Sequence, residues 1–87
     1  MSKQVPGEKP GTLIHYSVDG QTQSTTDEEM TPRDIMGDAG VDPQTHFLTE
    51  IDGGIRRPHR DDLDRPLRMR EQMQFVTVVR QPQGPYR

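Results

Sequence analysis

Seven residues near the end of the chain, Met73-Gln-Phe-Val-Thr-Val-Val79, restrict its fold more than any other stretch. The segment around them, Gln72–Arg80, is β-branched, aromatic and uncharged until Arg80, which is the composition of a strand. A run so continuously apolar predicts a central strand buried on both faces or nearly so. Little else is available to bury, because only 28% of the 87 residues are hydrophobic and 29% are charged. The length allows one small domain at most. Low hydrophobicity points toward disorder, but a net charge of −3 gives that reading no support. With no cysteine, disulfide staples and Cys-based zinc sites are excluded. No apolar run approaches the roughly 20 residues of a membrane span, and Met1–Pro10 is too polar for a secretory signal. The expectation is a soluble, cytoplasmic domain with no membrane partner.

Both ends read as non-core. Residues 1–11 carry two Pro-Gly pairs around a charged dipeptide and are expected to form a flexible leader. Residues 81–87, Gln-Pro-Gln-Gly-Pro-Tyr-Arg, read as a flexible tail, since Pro82 and Pro85 lack the amide a sheet ladder uses. The folded domain is therefore expected over 12–80.

Within it, Thr12–Gly20 alternates, with Ile14, Tyr16 and Val18 on one face. Asp19-Gly20 tolerates the positive φ of a two-residue turn, and Gln21–Thr26 returns as the second strand of a hairpin. Thr31 is placed to cap a helix, with Pro32 at its first position and Asp34 to answer from the third. Asp27, Glu28 and Glu29 precede that terminus, where anions are favoured. Ile35, Met36 and Ala39 form its apolar face, Gly40 suits a left-handed cap, and Asp42-Pro43 prevents resumption. Thr45–Ile51 reads as a third strand ended by Asp52-Gly53-Gly54. Ile55–Pro66 reads mostly as loop, with a short strand near Ile55 and a turn near Leu63.

Charge is unevenly spread. Residues 1–52 hold three basic and ten acidic residues, whereas 53–87 hold eight arginines and four acids. Arg56, Arg57, Arg60, Arg65, Arg68 and Arg70 invite comparison with phosphate-binding runs. Asp61, Asp62 and Asp64 interrupt them, and no aromatic residue between Phe47 and Phe75 is there to stack on bases. The stretch reads as a solvated loop with local ion pairs, the other reading being a mixed-charge protein-docking surface. Nucleic acid is not an expected partner.

The order of elements, ββαβ(β)β, predicts an α+β roll with one short helix across a mixed four- to five-stranded sheet. Four stretches carry a more specific resemblance: Tyr16-Ser-Val-Asp-Gly-Gln21, Thr31-Pro-Arg-Asp-Ile-Met36, Ala39-Gly-Val-Asp-Pro43 and Met73-Gln-Phe-Val-Thr-Val78. In this order and spacing, across residues 12–80, the chain resembles bacterial multiubiquitin-type, ubiquitin-like modifier domains of the β-grasp fold. The resemblance implies a protein modifier rather than an enzyme. Its C-terminal tail would be adenylated by an activating enzyme, carried as a thioester by a conjugating enzyme to a target protein, and trimmed or released by a metalloprotease deconjugase. Gln81, Pro82, Gln83 and Gly84 would then enter the partners' active sites. Tails of this kind usually end in Gly-Gly, whereas this one reads Gln83-Gly84-Pro85-Tyr86-Arg87. Gly84 becomes the reactive end if the bond to Pro85 is cut; otherwise Arg87 is the working end.

Other chemistry is sparse. His15, His46 and His59 lack the spacing of a ligand set, and Asp61-Asp62-Leu63-Asp64 lacks the glycine and distant Glu of a calcium loop. No nucleophile triad, phosphate loop or carboxylate pair is present, so neither catalysis nor a cofactor is expected. The methionines read as core fillers. If Met69 and Met73 are exposed instead, they form a partner-binding patch with Arg68 and Arg70. Two alternatives to the modifier stand beside it: a β-grasp module that binds a protein non-covalently through its sheet, and a thiocarboxylate sulfur carrier. The only lysines, Lys3 and Lys9, lie in the leader, so no lysine-linked self-conjugate is expected within 12–80.

Overall fold

The computed structural model describes residues 12–80. Strands β1 (Ile14–Val18) and β2 (Gln21–Thr25) form the first hairpin, followed by β3 (Glu29–Met30), helix α1 (Pro32–Asp38), β4 (His46–Asp52), β5 (Ile55–His59), β6 (Leu67–Arg68) and β7 (Met73–Val79). Five strands build one mixed sheet in the order β2-β1-β7-β4-β5, and β3 and β6 form a separate two-stranded ribbon. The last strand pairs parallel to β1 and antiparallel to β4. With one short helix, this is an α+β, β-grasp arrangement.

The local signals act where their chemistry places them. Asp19 and Gly20 take φ values of 54° and 85°, the two positive dihedrals of a type I′ turn. Thr31 Oγ1 accepts from the Asp34 amide at 3.0 Å, and the Asp34 carboxylate accepts from the Thr31 amide at 3.3 Å, a complete capping box. At the other end Gly40 stands at φ 77°. Val41 N–H donates to Met36 O and Gly40 N–H to Gly37 O, the paired bonds of a Schellman cap. A seven-residue helix is too short to persist alone; Ile35 and Met36, both fully buried, hold it to the sheet.

The core lies between that helix and one sheet face. Tyr16, Val18, Met30, Leu48, Met69, Met73 and Phe75 close around Ile35 and Met36. The Tyr16 and Phe75 rings meet edge to face across neighbouring strands, 6.0 Å apart at 87°, a favoured aromatic geometry.

Three expectations need correction. β7 is central, but only Met73 and Phe75 on its core face are buried, while Val78 is 36% and Val79 58% exposed. No described element covers the opposite face along β7. The strand closed on both sides is β4, where Phe47, Leu48, Thr49 and Glu50 are all buried: Leu48 lies in the core cluster, and the Arg60 and Arg80 guanidiniums cover Phe47 on the alternate face. Second, Ile55–His59 is a full strand, not mostly loop. It is an edge strand, and the Gly53-Gly54 turn directs the Pro58 backbone away from β4, so proline removes no ladder bond. Third, the acidic run before the helix leads into β3, whose pairing with β6 joins residues far apart in sequence.

Candidate functional site

The tail residues Gln81, Pro82, Gln83, Gly84 and Pro85, and the leader 1–11, lie outside the described residues. The point where the chain leaves the sheet is described. Arg80 follows β7, and its backbone N–H donates to Thr45 O at 2.8 Å. Its Nε donates to Pro43 O at 3.0 Å and its Nη2 to Arg60 O at 2.9 Å. The guanidinium also stands 5.8 Å from the centre of the Phe47 ring, with that of Arg60 at 4.6 Å. Two cations against one aromatic ring seal Phe47 at 6% exposure outside the main core. This anchor was missed in the sequence because Pro43, Phe47, Arg60 and Arg80 are brought together only by the sheet.

The candidate partner patch divides. Met69 and Met73 are 4% and 7% exposed and belong to the core, so they offer a partner little surface. Their flexible thioethers pack in one cluster with Met30 of β3 and the partly buried Leu67 of β6. Arg68 and Arg70 remain exposed. Arg70 reaches the largely buried Glu50 carboxylate at 3.3 Å, and its backbone amide meets the Met73 sulfur at 3.1 Å. Arg68 stands in register with Glu29 across the ribbon. A shallow groove between Glu50, Asp52, Arg57, Arg68 and Arg70 therefore carries both signs of charge.

The arginine-rich segment is tied down partly by long-range pairs. Arg33, at the start of α1, holds Asp64 through Nε at 2.9 Å and Nη2 at 3.3 Å. This contact, chiefly its hydrogen bond, lowers the pKa of Asp64 and raises that of Arg33. Arg57 pairs with Asp52 at 3.3 Å. The solvated-loop reading fails for Arg56 and Arg57, which belong to β5, for Arg60, which covers Phe47, and for Arg68, which belongs to β6.

Each histidine has its own partner. His15 N–H and Nδ1 both meet the Glu71 carboxylate, each at 2.9 Å. These bonds, the backbone one first, hold Glu71 below its ordinary pKa. His46 Nδ1 meets Thr45 Oγ1 at 2.8 Å, and His59 Nδ1 meets Asp62 at 3.0 Å. Among the described residues no three His or carboxylate groups converge on a metal position, and no helix is long and apolar enough to cross a membrane. Among the described residues two buried side-chain polar atoms have no hydrogen-bond partner: His59 Nε2 and the Tyr16 hydroxyl. Burial raises the Tyr16 pKa, and the charges of Asp38 and Asp27 raise it further.

Comparison with models of known protein families, with curated proteins and with solved structures gives no match.

Proposed function

We propose that the chain is a ubiquitin-like modifier whose segment after Arg80 is activated and transferred to a target protein. The supporting observation is topological. β7, the last strand, lies in the centre of the sheet between β1 and β4, and the chain leaves it at Arg80, whose backbone and side chain together donate to three carbonyls. A tail leaving a rigid, anchored base can be presented to an enzyme without disturbing the fold, which preorganisation favours. On this reading an activating enzyme, a conjugating enzyme and a processing metalloprotease are the partners. Gly84 offers the least hindered carboxylate if Pro85 is removed.

The test uses the full chain and a form ending at Gly84, each incubated with ATP and any activating enzyme encoded beside its gene. Pyrophosphate exchange and a reducible thioester with either form support the reading. Failure of both forms to be activated sinks it.

A second reading has one observation in its favour. The sheet face away from the helix exposes Val78 and half-exposes Ile51 and Val76, with Arg56 and Arg60 beside them. A non-covalent docking module would use that face and keep its activity after deletion of 81–87; a modifier would lose its activity.

A further inference from the structure

The five-stranded sheet has two edges, β2 and β5, and they are defended very differently. On β5 the register Asp52↔Ile55, Glu50↔Arg57 leaves Arg56 and Pro58 directed outward. Proline offers no donor there, and the neighbouring arginines discourage another strand. On β2 the type I′ turn makes Val18↔Gln21 the closing bonded pair, so Tyr16↔Gln23 and Ile14↔Thr25 are bonded as well. The N–H and C=O groups of Thr22 and Ser24 therefore face away from β1. The other side of β1 agrees: Gln72 N–H donates to His15 O and Asp19 N–H to Phe75 O, so alternate β1 residues serve β7.

The outward row of β2 meets no described strand and carries none of the usual protection. Gly20–Thr26 reads Gly-Gln-Thr-Gln-Ser-Thr-Thr, with no charge, no proline and no large apolar side chain. Its far end runs into Asp27, Glu28 and Glu29, which are exposed and form no ion pair with a described residue. Residues 12–32 contain no lysine or arginine.

We propose that β2 is an acceptor edge that adds an extended protein segment as a sixth strand, the segment being basic where it passes Asp27 and Glu28. Main-chain bonds to Thr22 and Ser24 supply the pairing, and the acidic end sets direction and preference. This site is remote from Arg80 and independent of whether the tail is ever activated.

The experiment titrates the isotope-labelled full chain with a synthetic peptide of about nine residues, alternating Val and Thr and ending in three lysines. A matched peptide ends in three glutamates. The expected result is shifted and exchange-protected amides at Thr22 and Ser24, with the lysine peptide bound roughly tenfold more tightly. Ser24→Pro removes an outward N–H and no β1–β2 bond, and should weaken binding about tenfold. N-methylation of alternate peptide amides, which leaves the protein untouched, should abolish binding even if Ser24→Pro fails to fold. Replacing Asp27 and Glu28 by lysine should reverse the charge preference. The proposal is overturned by shifts confined to β5 or the open sheet face, by N-methylated peptide binding as well as the parent, or by preference for glutamate. It is equally overturned by concentration-dependent protection of Thr22 and Ser24 without peptide, which would assign the edge to a second copy of the chain.

Discussion

The Asp19 carboxylate accepts two hydrogen bonds from Thr77, at 2.8 Å from the backbone N–H and 2.6 Å from the hydroxyl. β1 stops pairing with β7 at Val18↔Phe75, so this side chain continues the join for one more rung and ties the hairpin turn to the central strand. Asp19 thus both tolerates positive φ and acts as a tertiary clamp.

Asp19→Ala should lose both the bonds and the tolerance of the left-handed conformation, costing roughly 1–2 kcal/mol. Asp19→Asn keeps the turn and one acceptor oxygen and should cost less than half of that. Urea-unfolding midpoints separate the two. Equal losses would contradict this division, because asparagine keeps the left-handed turn and an acceptor that alanine lacks.

Arg80→Ala removes a cation from the Phe47 ring and two donors from the carbonyls of Pro43 and Arg60. About 1–2 kcal/mol of stability should be lost, with faster exchange of the amides near Phe47. Arg80→Lys, which keeps the charge but not the planar fork, should recover only part. Full recovery would reduce the anchor to charge alone.

The two ends of α1 should respond separately. Thr31→Ala breaks the capping box at a cost of about 1 kcal/mol. Gly40→Ala meets no steric obstacle, for nothing lies within 4 Å of the added Cβ. Its cost of about 1 kcal/mol is therefore that of placing a side chain at φ 77°. Thermal unfolding of each variant measures both, and an unchanged Gly40→Ala midpoint would contradict the strain argument.

Acid should weaken the fold through Glu71 and Asp64. Both carboxyls have lowered pKa values in the folded chain, so the unfolded chain takes up their protons first as pH falls. Their stabilisation is complete above the ordinary carboxylate range. It declines on entering that range and is gone below the folded values. Both groups are exposed, so salt should diminish the effect. Glu71→Gln still accepts from the His15 amide and should flatten the acid limb of stability against pH; an unaltered limb would remove Glu71 from this role.

Much of the fold was legible because its signals are local. Asp19-Gly20, the Thr31–Asp34 box and the Ala39-Gly40 stop each depend on residues within a turn of one another, and backbone sterics act at that range. The apolar run of Met73–Val79 identified the central strand for the same reason. Its second face was misread because apolar composition records what a strand could bury, whereas burial depends on whether another element arrives. The candidate patch Arg68, Met69, Arg70 and Met73 split on the same ground, as the core took both methionines. The tail residues proposed for conjugation were legible only as composition and resemblance.

By itself, then, the sequence determined the turns, the capped helix and the identity of the strand that must lie within the sheet, because short-range dihedral and capping preferences act before any distant contact forms. Only the tertiary structure decided that Arg60 and Arg80 share Phe47, that β3 finds β6, that β5 is guarded and that β2 meets no described strand on its outer side. Those relations join residues up to tens of positions apart, where loop closure and the order of strands, rather than any local preference, select the neighbour.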